Sequence, residues 1–271
     1  MYGETRPETH AYVGSGLGIT RVETAGGQVG RFSLEKRCSA RDIAGANGEI
    51  AVATDEAVLL STSDGFAASG FGPATAVGYD ADGPLAAGDG RVARYADGEW
   101  QLVCRIEDVR AIDGRLVAAE SGVYALPDCT RLGLAGVTDV TEGYAATADG
   151  LYERAGGVVD GSDPETGGTT PAGDGWTETR SGEHGVVARD GGRVHAADVD
   201  TLVELADGGW RECPLPVRER VVDLCYGADT YAVTEDGTFL VETADESTAD
   251  GRGGWRGRSL GLPGVVGVAV A

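Results

Sequence analysis

The chain has 271 residues, enough for one large all-β domain or two smaller ones, with 44 acidic against 22 basic residues and a formal charge of −22. Its first ten residues are polar and charged, unlike a secretory signal, and imply no export. The longest convincing apolar run, Val265–Ala271, is far shorter than the roughly 20 residues that cross a bilayer, so we expect a protein with no membrane contact.

The composition is that of a salt-adapted protein. Lys36 is the sole lysine, Phe occurs four times, and Ala, Val and Gly are abundant, as in proteins from a salt-saturated cytoplasm. We therefore expect a cytoplasmic location and interpret the acidic surface as adaptation to salt rather than selection for a basic partner. Multimolar salt screens charges beyond about 3 Å, so we expect no long-range steering of a partner.

A short unit recurs along the whole chain: an apolar strand, a turn, a second strand, and a turn leading to an outer strand. Small and β-branched residues dominate the apolar strand, which is typical of strands buried on both faces. Asp-Gly or Ser-Gly pairs often follow and favour tight hairpins. The seven copies of this strand begin at Ala11, Ile50, Pro84, Leu116, Tyr144, Val194 and Tyr231.

Another short segment precedes six of these apolar strands, and a seventh copy, Val265–Val270, lies at the C-terminal end. We predict that these segments are the innermost strands of four-stranded blades. The segment at Ala11 lacks one, so we expect Val265–Val270 to pair with the N-terminal hairpin and remove the exposed sheet edges. The sequence thus predicts one all-β domain over residues 1–271, a seven-bladed β-propeller averaging roughly 39 residues per blade.

Four tryptophans, each at the end of a glycine-containing turn, support this register: Trp100, Trp176, Trp210 and Trp255. We predict that they lie on outermost strands and fill the gap between neighbouring blades. Two insertions, Ala155–Gly175 and Ala244–Gly254, are interpreted as solvated loops.

The spacing resembles the broad propeller group that includes WD40 and Kelch proteins, and together with the acidic composition it resembles a haloarchaeal β-propeller family. The resemblance covers essentially the whole chain. Neither a recurring GH…WD pair nor a Kelch double glycine is present. The resemblance therefore implies a fold, and no functional residues are carried over from it.

Known cofactor motifs are absent from the sequence. Lys36 follows no phosphate-binding loop, and the glycines near the N-terminus precede no helix. The three histidines and five cysteines are scattered without a CxxC pair, so we predict reduced thiols, no metal and no cofactor.

We predict an aspartate at the same position of four innermost strands, at Asp42, Asp108, Asp139 and Asp223. Around a narrow channel, such carboxyl groups can bind Ca²⁺ or Mg²⁺, or raise one another's pKa for acid–base work. The structural alternative, which we favour, is that each aspartate accepts hydrogen bonds from amides at the start of its own strand. Arg110 and His184 are added as candidates for the channel lining.

Ring closure also predicts a basic surface, because it makes the first and last blades neighbours. We name this surface the basic seam, and it is a hypothetical docking site for an anionic partner through arginine forks. The structural alternative is a set of arginines neutralised by nearby Glu and Asp. The seam consists of Arg31, Lys36, Arg37, Arg41, Arg252, Arg256 and Arg258.

The sequence offers no nucleophile paired with a base, and it favours a non-enzymatic protein-interaction scaffold with a protein partner, no nucleic-acid partner and a monomeric fold unit. The alternative is a hydrolase or lyase that uses the Asp-lined channel, with or without a divalent cation. A third reading, a structural partner in a nucleic-acid complex, relies on the basic seam alone.

Overall fold

The computed structural model describes residues 9–155, 175–206, 208–242 and 254–271. These residues form seven four-stranded antiparallel sheets, arranged as the blades of a propeller. The predicted fold class is confirmed. No helix among the described segments is long and apolar enough to cross a membrane.

The strands of each blade follow the chain from the channel outward, except in blade 1, which combines both ends of the chain. Blade 1 contains β28 (Val265–Val270), β1 (Thr9–Ser15), β2 (Gly18–Ala25) and β3 (Gln28–Lys36). Blade 2 contains β4 (Ala40–Ala46), β5 (Glu49–Thr54), β6 (Val58–Thr62) and β7 (Gly65–Ala68). Blade 3 contains β8 (Ala76–Asp80), β9 (Gly83–Gly88), β10 (Arg91–Ala96) and β11 (Glu99–Cys104). Blade 4 contains β12 (Val109–Asp113), β13 (Leu116–Ala119), β14 (Gly122–Ala125) and β15 (Thr130–Gly133).

The remaining three blades repeat this order. Blade 5 contains β16 (Val137–Thr141), β17 (Tyr144–Thr147), β18 (Gly150–Arg154) and β19 (Trp176–Ser181). Blade 6 contains β20 (His184–Asp190), β21 (Arg193–Asp198), β22 (Leu202–Ala206) and β23 (Gly209–Cys213). Blade 7 contains β24 (Val221–Tyr226), β25 (Thr230–Thr234), β26 (Thr238–Glu242) and β27 (Trp255–Ser259).

The ring closes through antiparallel pairing of β28 with β1, as predicted. Val13 lies opposite Val268 and Ala11 opposite Val270. Val13 and Val268 are both buried, so the closing pair contributes apolar contacts as well as backbone hydrogen bonds.

The second strand of each blade forms the densest part of the core. Ala51, Ala86, Ala118 and Ala145 are fully buried, and the apolar residues next to them in sequence are buried on the other face. Small side chains are needed here because each of these strands is covered by a neighbouring blade on both faces.

Each tryptophan packs its own blade on the one before it. The indole nitrogen of Trp176 in blade 5 donates to the Leu132 carbonyl in blade 4 at 2.8 Å, and that of Trp100 in blade 3 donates to the Ser69 carbonyl at 3.1 Å. The Trp210 ring lies 6.0 Å from that of Tyr144 in blade 5. The predicted packing role is confirmed. Most of both predicted insertions lies outside the described residues.

The innermost strands approach one another so closely that glycine is required. A Cβ on Gly45 of blade 2 would lie 2.1 Å from the Val270 carbonyl oxygen of blade 1, and one on Gly78 of blade 3 would lie 2.5 Å from the Ile112 oxygen of blade 4. Both distances are well below van der Waals contact, so no larger residue fits without moving a strand.

We expect Gly45→Ala to destabilise the protein by about 3 kcal/mol, because the added methyl forces β4 away from β28. Denaturant unfolding monitored by tryptophan fluorescence measures the change. Gly192→Ala is the matched control, since a Cβ there meets nothing within 4 Å, and its stability should stay within about 0.5 kcal/mol of wild type. Equal stability of the two variants would contradict the packing described for Gly45.

Candidate functional site

Three aspartates occupy one register position on the innermost strands of blades 2, 5 and 7. Asp42 pairs with Ala53, Asp139 with Ala146 and Asp223 with Val233, in each case directly after a β-bulge. A bulge re-aims the side chain that follows it. Each carboxylate is thereby set between its own blade and the next one.

Each carboxylate bridges two blades. One oxygen accepts a hydrogen bond from the next amide of its own strand, and the other oxygen accepts one from the innermost strand of the following blade. The bonds are 2.7–2.8 Å long: Asp42 with Ile43 and Val77, Asp139 with Val140 and Val187, and Asp223 with Leu224 and Val268. Both oxygens of each carboxylate therefore accept hydrogen bonds from the backbone.

The bond to the amide of the same strand is the structural alternative that the sequence suggested. The bond to the next blade was not foreseen. In blade 1 this bond requires a glycine next to the amide donor Val268, because a Cβ on Gly267 would lie 2.8 Å from Asp223 Oδ2.

Two threonines at or just before the start of an innermost strand add further links in the same direction around the ring. The Thr138 hydroxyl lies 2.9 Å from the His184 carbonyl of blade 6, and the Thr75 hydroxyl lies 2.9 Å from the Val109 carbonyl of blade 4. The channel wall is thus held by polar side chains as well as by packing.

Two of the aspartates line a cavity of about 380 Å³ in the central channel. Asp139 and Asp223 lie on its wall, and Asp113, Arg189 and Tyr226 lie nearer to the ends of the innermost strands. Asp113 accepts a 2.7 Å hydrogen bond from Thr141. The Arg189 guanidinium donates to the Glu142 carbonyl at 2.9 Å. Sequence reasoning missed these residues because they lie at strand ends with no recurring motif.

Burial raises the pKa of the bridging carboxyl groups. The pKa of Asp42 and of Asp223 rises to about 7, and that of Asp139 rises to about 8. The amide hydrogen bonds act in the opposite direction, and the charge of another bridging aspartate adds to each rise. These groups therefore hold protons at a pH where an ordinary aspartate has lost its proton.

Three of the predicted channel residues lie elsewhere. Asp108 is exposed, precedes β12 and has a φ of +51°. Ala111, not Asp108, occupies the position directly after the bulge of β12 that the bridging aspartates occupy in their strands. Arg110 is exposed on the bulge of β12 and forms an ion pair with Glu120. His184 is buried at the first position of β20, and its Nδ1 lies 2.8 Å from the Gly182 carbonyl. None of the three is among the residues that line the described cavity.

The basic seam is only partly assembled. Arg31 and Lys36 lie on β3 and Arg37 directly follows it, whereas Arg41 lies on the innermost strand of blade 2 and is separated from them. Arg252 lies outside the described residues. The proposed gathering of all seven residues on one surface is therefore wrong for Arg41, because the chain crosses from the outer edge of blade 1 to the channel between residues 37 and 40.

Blade 7 does contribute to this surface. Arg258 on β27 donates to the carbonyl oxygens of Val29 and Gly30, and its guanidinium lies 5.2 Å from the centre of the Phe32 ring. Arg256 lies two residues earlier on β27 and is exposed. Some of the charge is neutralised locally, since Arg31 pairs with Glu23 at 3.1 Å. Within the described part of the chain, Lys36 and Arg37 have no ion-pair partner.

A family model described as "Beta-prop_HVO_0234:-like, beta propeller" matches residues 1–271. The chain belongs to this β-propeller family. The resemblance to a propeller family is thereby confirmed over the whole length of the chain. No curated protein matches the sequence.

Three solved structures with the same fold share little sequence with this family member. The computationally designed Ika8 protein is 14% identical, with a TM-score of 0.57, over 97% of this chain and 91% of that protein. The WD40 propeller domain of Doa1 is 15% identical, with a TM-score of 0.55, over 82% and 83% of the two chains. The extracellular domain of BT4673 from B. thetaiotaomicron is 9% identical, with a TM-score of 0.54, over 92% of this chain and 46% of that one. These likenesses show the fold alone.

The raised pKa values predict a pH dependence of stability. The unfolded aspartate titrates near 3.8 and folded Asp139 near 8, so between these values the folded protein holds protons that the unfolded chain has lost. The contribution of protonated Asp139 to the free energy of unfolding is therefore present at low pH and is lost as the pH rises from about 4 to about 8. We expect Asp139→Asn to remove part of this loss.

The slope of unfolding free energy against pH, measured by denaturant titration at several pH values, tests this expectation. Asp108→Asn is the matched control, because Asp108 is exposed and should leave the slope unchanged. A slope for Asp139→Asn that equals the wild-type slope would contradict the assignment.

Proposed function

We propose that the protein is a non-enzymatic protein-interaction scaffold that binds an extended, acidic and partly apolar segment of a partner along the outer edge of blade 1. The observation that carries this proposal is the exposed apolar and basic surface of β3. We name it the β3 edge and define it by Arg31, Phe32, Leu34, Lys36 and Arg37.

The β3 edge differs from the other outermost strands. At nine residues, β3 is the longest strand described, and almost every residue on it is exposed. Phe32 is 38% and Leu34 is 42% exposed, two residues apart and thus on the same face. Adjacent exposed apolar residues on one strand are a recurrent feature of protein interaction sites.

An extended peptide can add to the free side of such a strand. Among the described strands, β3 pairs with β2 alone, which leaves its outer amides and carbonyls available apart from the two carbonyls bonded by Arg258. β-Strand addition uses these groups for affinity and alternate side chains for specificity.

Charge determines the chemistry of the expected partner. Lys36 is the chain's sole lysine, and it lies with Arg37 at one end of the β3 edge, on a protein of net charge −22. Carboxylates of a partner would pair with these two cations, while apolar side chains would contact Phe32 and Leu34. In high salt the apolar contacts would supply most of the affinity, because exposed charges are screened.

The enzymatic alternative has less support. Its bridging carboxylates, Asp42, Asp139 and Asp223, each use both oxygens to bind backbone amides. A general base or a cation ligand needs a free lone pair directed at the substrate or ion. The geometry of these groups favours a role in fixing the blades.

We expect the double variant Phe32→Glu, Leu34→Glu to co-purify with at least tenfold less of a stoichiometric partner than the wild type does. The variant removes the apolar contacts and adds negative charges that repel an acidic segment. Affinity purification of the tagged protein from its native cytoplasm at native salt, with quantitative mass spectrometry, measures the loss.

Leu102→Glu is the matched control for this experiment. Leu102 is 56% exposed on the outermost strand of blade 3, far from the β3 edge. It should retain the partner at the wild-type level. Retention of the same partner by both variants, or its loss from both, would overturn the assignment to the β3 edge.

A further inference from the structure

A second cluster of reactive side chains lies on blade 6, and its three residues neither belong to the β3 edge nor are among those that line the described channel cavity. A ring nitrogen of His195, a carboxylate oxygen of Glu204 and Cys213 Sγ all lie within 4.8 Å of one another. The three residues come from three consecutive strands, β21, β22 and β23.

Sheet register places the three side chains on one face. His195 is directly opposite Glu204, and Cys213 is opposite Leu202, two residues before Glu204 on the same strand. Residues two apart on a strand point to the same face. The cluster is therefore fixed by the hydrogen-bonded ladder of blade 6 and not by a chance meeting of loops.

His195 has an unused ring nitrogen. The side chain is 1% exposed, and no donor or acceptor among the described residues reaches Nε2. Its other nitrogen, Nδ1, lies 2.7 Å from the Tyr226 hydroxyl, which lies 3.3 Å from the Ala188 carbonyl. If this hydroxyl donates to the carbonyl, it accepts from Nδ1–H, and the lone pair is left on Nε2. A buried nitrogen without a hydrogen-bond partner destabilises the folded state, so its retention needs an explanation.

We infer that His195, Glu204 and Cys213 form a binding site for Zn²⁺ or a similar borderline-soft divalent metal ion. A nitrogen, a sulfur and a carboxylate oxygen make a typical zinc ligand set, whereas Ca²⁺ and Mg²⁺ prefer oxygen ligands alone. Tetrahedral zinc holds its ligand atoms roughly 3.5 Å apart, so side-chain adjustments of about 1 Å suffice.

The charges of the proposed ligands balance the charge of the ion. A thiolate and a carboxylate together neutralise a divalent ion. The Arg211 guanidinium binds Glu204 Oε2 at 2.8 Å, and a carboxylate has a second oxygen to offer to a metal. Tyr226 would act as a positioning residue that orients the imidazole, as outer partners of metal-bound histidines do.

The site is accessible on one side. The Glu204 side chain is 24% exposed and Cys213 is half-buried, while the Trp255 ring of blade 7 covers His195 at 6.3 Å between ring centres. The buried Trp255 indole nitrogen has no hydrogen-bond partner among the described residues. An ion can therefore enter from solvent and complete its coordination with water, next to a fluorescent reporter.

The protonation states of Cys213 and His195 are set by their surroundings. Burial, followed by the charges of Glu204 and Glu242, raises the pKa of Cys213 to about 12, while Arg211 opposes this. Burial lowers the pKa of His195 to about 4, despite the charge of Glu204, and Arg193 lowers it further. The imidazole is thus neutral near pH 7, and the thiol must release one proton when its sulfur binds the metal.

Cobalt titration of the intact protein tests the proposal. We expect one equivalent of Co²⁺ to produce near-ultraviolet thiolate-to-cobalt absorbance, quench tryptophan fluorescence, and be displaced by Zn²⁺. Cys213→Ser should lose this absorbance, and His195→Gln should bind at least 100-fold more weakly. Cys129→Ser, at a half-buried cysteine of blade 4, is the matched control and should behave as wild type.

Far-ultraviolet circular dichroism and metal-free melting of each variant establish that it is folded. The proposal is overturned if the folded wild type binds no Co²⁺ at micromolar concentrations. It is equally overturned if the thiolate absorbance persists in Cys213→Ser or if His195→Gln binds as tightly as wild type.

Two further measurements separate coordination from a structural effect. Tyr226→Phe should weaken Zn²⁺ binding about tenfold while leaving the cobalt absorbance in place, because it disturbs orientation and keeps all three ligands. The apparent Zn²⁺ affinity should rise about tenfold per pH unit between pH 6.5 and 8.5, as expected for release of one thiol proton. A pH-independent affinity would exclude Cys213 as a ligand.

Discussion

The close approach of the innermost strands is the constraint on which the rest of this propeller depends. Where Gly45 and Gly78 stand, a single methyl group would collide with a carbonyl oxygen of the neighbouring blade. At that distance a carboxylate on one strand can reach an amide of the next, as Asp139 reaches Val187. The three bridging aspartates are therefore part of the joint between blades.

Much of the fold could be predicted from the sequence because residues of the same size recur at the same positions of each repeat. Buried second strands require Ala and Val, tight hairpins require residues that accept positive φ, and Asp89 and Gly90 have φ of +53° and +67°. The closing strand was predictable because one unit lacks an innermost strand at the start of the chain and an extra one follows the last unit. These signals depend on local sterics, which each segment carries by itself.

The sites were harder to predict because they depend on register and on contacts between distant segments. Asp108 precedes a valine much as Asp139 does, but the bulge of β12 places Ala111 at the bridging position. Arg41 follows Arg37 closely in sequence, yet the two lie at opposite edges of neighbouring blades. The cluster of His195, Glu204 and Cys213 carries no spacing motif, since hairpin pairing alone brings it together.

The pairing of β28 with β1 also determines the order in which the molecule can be completed. Blade 1 unites strands separated by nearly the whole chain, so its inner half forms only after every intervening strand has been synthesised. Such non-local pairing is slow, since a long stretch of chain must be ordered before the contact is gained. Until then β1 presents an open edge. A chain emerging from the ribosome is therefore exposed to aggregation for longer than that of a helical bundle, whose contacts are mainly local in sequence.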